Sequence, residues 1–450
     1  MAKPTSAVLG AGVTGLAAGL ASRAPVYEAR DEPGGICSSY HLKPGGLRTV
    51  PSDPEGYRFE VGGGHWIFGG DAAVLRFIRQ LAPVTSYQRR SSVFFSRQNL
   101  YVPYPLQNHL GHLDKGIAAK ALSEVCTSPG RANPSTMADW LEANFGPTLC
   151  EFFFAPFHEL YTAGLWRKIA PQDAYKSPLD LPAVIRGAFE KTPTAGYNAT
   201  FVYPADGLDA LVRGMSARVN LRCGKRAVSI NSRGHEVFFS DGSSLQYDQL
   251  ISTLPLNTMI ELTGLEVDEE PAPCTSVLVL NIGAHRGAKC PDDHWLYIPD
   301  SNSGFYRVGF YSKVDSCFLP TSSRQRNDRA AIYVERAYPG GQKPGEGAMR
   351  LYSAAVVREL QEWQFIAGQP EVVDPTWVDV AYTWTWPGSN WRQKTLALLE
   401  QHDLIMVGRY GRWEFQGIAD SIRDGLMVGA AYRPGAVFSS DGEVPASGNG

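Results

Sequence analysis

The sequence predicts an α/β protein: a discontinuous Rossmann-like dinucleotide-binding domain that carries an inserted helical domain and an antiparallel β-sheet substrate domain. Three observations predict it. The chain opens on a strand, a glycine turn, a helix and a second strand between Ala7 and Tyr40. Helical periodicity dominates from Leu110 to about Arg186. From Thr275 to Tyr338 short strands follow one another at antiparallel spacing, before a buried strand (Leu404–Gly408) and a helix (Ile418–Tyr432) return the chain to the first domain. By segment, residues 1–85, 190–262 and 395–438 form the dinucleotide-binding domain and 108–188 the helical domain. Residues 86–107 and 263–394 form the sheet domain, and 439–450 a small, polar, glycine-rich tail expected to be disordered.

The opening unit carries the chemistry. Ala7–Leu9 is a short apolar strand that meets Gly10, Gly12 and Gly15. Gly10 permits a tight turn, Gly12 lets backbone approach a pyrophosphate, and Gly15 lets the helix pack closely on the strand. The helix N-terminus then offers free N–H groups and partial positive charge to phosphates. Glu28 ends the second strand, where a carboxylate accepts hydrogen bonds from ribose hydroxyls. A secretory leader is the rival reading of Lys3 and the alanine-rich run, but the glycines interrupt that run where the turn needs them. A second glycine pair, Gly34-Gly35, follows with Ser38 and Ser39. An NAD site does not need that pair, whereas two-dinucleotide-binding flavoproteins set it against FAD.

Composition bounds the rest. At 450 residues, 44% hydrophobic and 11% aromatic, the chain has the makeup of an ordinary globular enzyme of two or three domains. No apolar run approaches the roughly 18 residues of a membrane span. A net charge of −3 leaves no footprint for nucleic acid or anionic lipid. The seven cysteines are scattered, odd in number and without a CxxC pair, which reads as reduced thiols in a cytoplasmic protein. His109 and His112 lie three apart without a partner ligand in sequence, so no metal site is expected.

Along the chain, Gly62-Gly63-Gly64 implies backbone pressed against a partner such as a flavin ring, with His65 at the tip. A histidine satisfied by neighbouring backbone is the plain alternative to one that senses the flavin's charge. Asp71–Leu81 has the apolar spacing of an amphipathic helix, and Tyr104, Pro105, Gln107 and Asn108 lie on a proline-stiffened extended segment suited to ligand hydrogen bonds. Ser135 and Thr136 offer an N-cap, and the four phenylalanines between Cys150 and Tyr161 read as buried core, with His158, Arg167 and Lys168 as exceptions. Ala227–Ile230, His235–Phe239 and Leu250–Thr253 read as a meander around the turn Asp241-Gly242, Val314–Arg329 as a loop and Ala348–Ala367 as a long helix. No internal repeat and no second Gly-x-Gly-x-x-Gly unit appears, so any reductant binds transiently over the flavin.

Several stretches together resemble one family. GAGVTGLAAG followed by EARDEPGG resembles the FAD fingerprint of the amine oxidase and protoporphyrinogen oxidase superfamily. VGGGHWIF and YVPYPLQNHL resemble more specifically the UDP-galactopyranose mutase family, and GYNATFVYPADG, HWLYIPDSNSGFYR and GRYGRWEF agree with it in the same chain order. The resemblance covers nearly the whole chain. It implies a FAD-dependent mutase that interconverts pyranose and furanose forms of a nucleotide sugar, with reduced flavin supplying N5 as nucleophile at the anomeric carbon and NADH or NADPH as transient reductant. No side-chain nucleophile is then required, in keeping with the absence of any triad or nucleophile-elbow pattern.

By the same resemblance, Arg167 and Arg307 clamp the substrate pyrophosphate, a task for which guanidinium forks are suited. His65 lies over the flavin and Arg409 near its other edge. Trp295 and Tyr297 line the sugar and phosphate region, and Tyr104 and Gln107 the nucleotide end. Gly10, Gly12, Gly15, Glu28, Gly35, Ser39, Gly64 and Val228 hold FAD. The chain also departs from the family. Two tyrosines on the diphosphate are replaced by Trp386 and Phe415, an asparagine near the base by His158, and the asparagine after GRYGRW by Ala419. Losing two hydroxyls from a diphosphate site costs roughly 1–3 kcal/mol each. Another nucleotide, a deoxysugar or a diphosphate-free compound therefore stays open as substrate. So does an amine oxidase-type oxidoreductase that takes a hydride from an amine or alcohol, or a flavin-binding protein without turnover. The arginine pair favours the mutase and the lost tyrosines favour the oxidoreductase.

Overall fold

A computed structural model describes residues 6–49, 53–127, 134–172, 179–190 and 199–433. The segment expected to be a tail, 439–450, lies outside these residues. The fold is the α/β architecture expected: a parallel nucleotide-binding sheet, a large sheet rich in antiparallel pairs, and a helical block.

The parallel sheet has five strands in the order Leu221–Arg222, Val26–Tyr27, Ser6–Leu9, Gln249–Ser252 and Leu404–Met406. Its central strand is apolar because both faces are covered: Ala7, Val8 and Leu9 are all nearly inaccessible. The helix Val13–Ser22 packs against the late helix Ile418–Ala431, which brings the two ends of the chain together. That contact is set by small residues. A Cβ on Gly425 would lie 2.2 Å from the carbonyl oxygen of Thr14, and one on Gly429 2.3 Å from that of Ala18. The meander after residue 226 is a three-stranded antiparallel unit, Ala227–Asn231, Glu236–Phe239 and Ser244–Gln246, whereas the expected third strand near Leu250 joins the parallel sheet beside Ser6–Leu9 instead.

The large sheet has seven strands in the order Ile366–Thr383, Cys274–Arg286, Arg329–Pro339, Arg307–Phe310, Trp295–Tyr297, Ser91–Phe95 and Leu100–Pro103. All its pairs are antiparallel except Trp295–Tyr297 with Ser91–Phe95, which is parallel. The period-two alternation of strands gives the two faces different tasks. Leu278, Leu280, Leu296, Val308, Phe310, Ile332 and Val334 pack beneath Val356, Val357 and Leu360 of the helix Glu346–Glu362. Their neighbours Val277, Val279, Trp295 and Tyr333 turn to the opposite face and join the core of the nucleotide-binding sheet. The helix expected over 348–367 is shorter at its C-terminal end. Gln364 takes φ +60° and turns the chain, so Ile366 already starts the 18-residue strand. The apolar pattern runs through this junction without a break, which hides it from periodicity.

The helical block contains Lys115–Thr127, Met137–Leu149, Ala155–Tyr161 and Leu181–Phe189. Thr136 caps the second of these in a reciprocal box with Asp139: its hydroxyl accepts from the Asp139 N–H at 3.1 Å, and the Asp139 carboxylate accepts from the Thr136 N–H at 3.3 Å. A five-residue π-helical turn, Cys150–Phe154, joins the second helix to the third. Such turns shift the register of side chains at functional sites, and here Phe153, Phe154, Phe157, His158 and Tyr161 all line one cavity.

Candidate active site

Two cavities meet where the sheets meet. The first is a cleft at the carboxyl ends of the parallel strands, the usual ligand position in open α/β sheets. Gly10, at φ +91°, makes the turn out of the first strand. Gly15 sits so close that a Cβ would lie 1.9 Å from the Gly10 carbonyl oxygen, so it packs helix on strand without lining the cleft. Gly12, by contrast, has nothing within 4 Å of an added Cβ, and Gly35 meets only the Cα of Gly12 at 3.7 Å. Both face the open cleft. Glu28 lines it too, oriented by the Ala11 N–H at 2.7 Å and the Arg30 N–H at 3.0 Å. Two helix N-termini open into it, at Gly12-Val13 and at Gly417-Ile418.

Gly64, His65 and Arg409 line the inner end of this cleft. Arg409 donates to the Ala381 carbonyl at 2.8 Å, while its buried Nε has no hydrogen-bond partner among the described residues. His65 is pushed down to about 4, first by burial and then by the Arg409 and Arg307 charges, so it is neutral at physiological pH. Cys37 also lines the cleft, and burial pushes its thiol up to about 12, which keeps it unreactive. A glycine-walled cradle, a ribose-ready carboxylate, two helix N-termini and an orphaned guanidinium N–H fit a flavin dinucleotide.

The second cavity adjoins the cleft and shares Gly64, Trp66, Phe68, Arg307, Tyr382 and Phe415 with it. Arg307 stands at the junction. Its Nε and Nη2 donate to one oxygen of Glu335, at 3.0 and 2.5 Å, and the Tyr306 hydroxyl donates to the same oxygen at 2.6 Å. Burial works against the Arg307 charge, and Glu335 more than offsets it, holding the group well above the usual arginine range. The remaining wall is aromatic, with Trp295, Tyr297, Tyr104 and His158 among its members. The Tyr104 and Tyr297 rings lie 4.5 Å apart, and the His158 ring is fixed through Nδ1 to the Phe154 carbonyl at 2.7 Å. Trp295 Nε1 is buried without a hydrogen-bond partner among the described residues. Two arginines, Arg89 and Arg307, line the cavity, and no Asp or Glu does among the described residues.

Not every expected residue arrives here. Arg167 is on the outer surface, its side chain two-thirds exposed, stacked on Trp166 and 3.8 Å from Glu159. Trp386 lines a separate surface cleft and donates to the Pro271 carbonyl at 3.0 Å. Gln107 is buried in the one-turn helix Leu106–Asn108 and is not among the residues that line the cavity. Ser39 is buried and donates to the Glu60 carboxylate at 2.8–2.9 Å, and Val228 is half exposed on the outer meander. Sequence reasoning missed Arg89, Glu335, Tyr306 and Tyr382. For Glu335 the alternation of Arg329–Pro339 was a usable signal, since a charged residue inside an apolar strand needs a buried partner. Arg89 carries no local signal.

Among the described residues no group of three or more His, Cys, Asp or Glu is placed to hold a metal ion, and no helix is long and apolar enough to cross a membrane. The fold is shared with a reduced UDP-galactopyranose mutase at TM-score 0.82 and 21% identity, over 96% of this chain and 94% of that one. A candidate protoporphyrinogen oxidase from Exiguobacterium sp. 255-15 matches at TM-score 0.70 and 13% identity, over 96% and 99%. A putrescine oxidase bound to putrescine matches at TM-score 0.55 and 14% identity, over 95% and 98%. The model of the flavin containing amine oxidoreductases matches residues 11–282, more than half the chain. The chain belongs to the flavin containing amine oxidoreductase family, which implies a flavin cofactor in the glycine-walled cleft.

Proposed function

We propose that the protein is a FAD-dependent mutase that interconverts the pyranose and furanose forms of a nucleotide sugar. The observation that carries this reading is the position of Arg307, a buried guanidinium at the point where the cofactor cleft opens into the aromatic cavity. An anionic leaving group held there keeps the carbon to which it is bonded beside the cofactor. The reduced flavin, when bound, supplies N5 as the nucleophile at the anomeric carbon. Everything else falls to the chain. Arg307, oriented by Glu335, stabilises charge that develops on the diphosphate as its bond to the sugar breaks. The aromatic wall excludes water, which would hydrolyse the opened sugar. His65, neutral over a wide pH range, can offer a ring hydrogen bond beside the cofactor without adding charge there. Tyr104 and Tyr297 offer a stacking surface for the base. The reductant is proposed to be NADH or NADPH.

The alternative is oxidation of an amine or alcohol, as in a putrescine oxidase. The aromatic lining suits it. The two arginines oppose it for a cationic substrate, because no carboxylate among the described lining residues faces an ammonium group. The test is to incubate the reduced, flavin-loaded protein with UDP-galactopyranose and other nucleotide sugars and separate the products by chromatography. Formation of the furanose isomer supports the mutase. Absence of isomers across UDP-, GDP- and dTDP-sugars, with peroxide formed from amines or alcohols, supports the oxidase.

A further inference from the structure

Arg89 belongs to none of the motifs that point to the cavity, yet it lines it. It lies in the short link between the strands Val84–Gln88 and Ser91–Phe95 and is 5% exposed. The link is held on both sides. The Arg89 N–H donates to the Ala199 carbonyl at 2.8 Å, and the His294 N–H donates to the Arg90 carbonyl at 2.7 Å. The Arg89 side chain is anchored as well: Nη2 donates to the Tyr104 carbonyl at 3.0 Å, and its guanidinium lies 5.6 Å from the centre of the Tyr104 ring. Tyr104 is itself pinned by its N–H to the Ser91 carbonyl at 2.9 Å.

Arg89 and Arg307 line the same cavity, with Arg89 four residues before Val93, the residue in line with Arg307 across the middle strand. Tyr297 is the register partner of Arg307 on one side and of Val93 on the other, and Trp295 is the partner of Ser91. The middle strand thus separates the two arginine-bearing segments and presents Trp295 and Tyr297 between them. Arg307 marks the flavin end of the cavity, and Arg89, with Tyr104 and Tyr297, marks the other end of the same aromatic wall. Arg167 takes no part in this wall. Burial pulls Arg89 below the usual arginine value, with Tyr297 and Tyr104 partly offsetting it, so an anion entering the cavity is favoured electrostatically. A diphosphate has two charged centres joined by one bridging oxygen, so it can meet one guanidinium with each phosphate.

Resting on the nucleotide-sugar reading above, we infer that Arg89 supplies the second cation of the diphosphate site. The clamp then runs from Arg307 to Arg89 along the sheet, with Arg307 on the phosphate bonded to the sugar and Arg89 on the phosphate bonded to the nucleoside. The base lies on the Tyr104–Tyr297 side, next to the phosphate that Arg89 holds.

The experiment is calorimetric titration of flavin-loaded full-length protein with UDP, UMP and uridine, for the wild type and for Arg89→Gln, Arg89→Lys and Arg167→Gln. The expected result is UDP binding by the wild type, weakened roughly tenfold or more in Arg89→Gln. UMP binding weakens with it, uridine binding changes less, and Arg89→Lys recovers part of the UDP loss. Flavin absorbance and thermal midpoint, read on the same samples, separate this from misfolding, because a merely structural Arg89 moves UDP, UMP and uridine alike. Equal UDP affinity in wild type and Arg89→Gln overturns the assignment, and a loss confined to Arg167→Gln moves the second cation to the helical block. Failure of the wild type to bind any nucleoside diphosphate overturns the nucleotide-sugar reading, and this inference with it.

Discussion

Arg307 and Glu335 are direct register partners on adjacent antiparallel strands, and both donors of the guanidinium edge converge on one carboxylate oxygen. The pair lies on the cavity face of the large sheet, behind which Val308 and Val334 pack into the opposite core. Glu335 therefore fixes the direction in which the Arg307 charge points.

Removing one member leaves the other buried and uncompensated. Glu335→Ala is expected to lower stability by about 3–5 kcal/mol, read as a fall in thermal midpoint with flavin still bound. The double variant Arg307→Met/Glu335→Met recovers much of that stability while losing nucleotide-sugar affinity. A double-mutant cycle in which the two effects simply add would show that the pair is not coupled.

Gly12→Val separates cofactor binding from folding. A Cβ at Gly12 meets nothing within 4 Å, so the substitution leaves the turn intact and fills the cradle. The expected product is a folded, colourless protein by circular dichroism and visible absorbance. Retention of flavin would move the pyrophosphate away from this turn. Gly15→Ala, whose Cβ would lie 1.9 Å from the Gly10 carbonyl oxygen, is expected to lower stability instead.

Glu60 is completely buried, accepts from Ser39 and Tyr203, and is pushed up to about 7, chiefly by burial. The folded state therefore holds a proton that the unfolded chain releases near its ordinary value of 4.5. Its contribution is full below pH 4.5 and is lost as pH rises through 7, a slope worth on the order of 3 kcal/mol. Glu60→Gln, which cannot ionise, should flatten the fall of thermal midpoint between pH 5 and pH 8. An unchanged slope would assign the pH dependence to other groups.

His65 acts in the opposite sense. Its folded value near 4 lies below the ordinary 6.5, so the unfolded chain binds more protons between these limits. Stability from this group rises with pH from about 4 to 6.5 and is level above. His65→Asn should therefore steepen, between about pH 4.5 and 6.5, the fall with rising pH that Glu60 produces. The acid limb of the activity profile should fall near pH 4 in the wild type, and a limb near 6.5 would mean that His65 titrates as an exposed histidine does.

The local parts of this protein could be read from its residues. Gly10, Gly12, Glu28 and Gly35 form one contiguous strand–turn–helix–strand unit, and the helix after Asp71 and the cap at Thr136 are equally local. What was hidden depends on contacts distant in sequence. Ser39 turns to Glu60, 21 residues away, and Trp386 turns to Pro271 rather than to the cavity. Arg167 follows a helical block that exposes it, while Arg89 reaches the cavity through Tyr104, a neighbour fixed by sheet pairing rather than by sequence pattern. Residues that act across sheet registers carry no short-range signature.

The most direct measurement counts electrons against products. Flavin-loaded protein is reduced anaerobically with a single equivalent of dithionite and given excess nucleotide sugar, and isomer and remaining reduced flavin are quantified together. The account predicts many isomers formed per flavin, with the flavin still reduced at the end. Product formed only in proportion to flavin oxidised or reduced, or no isomer at all, would contradict it.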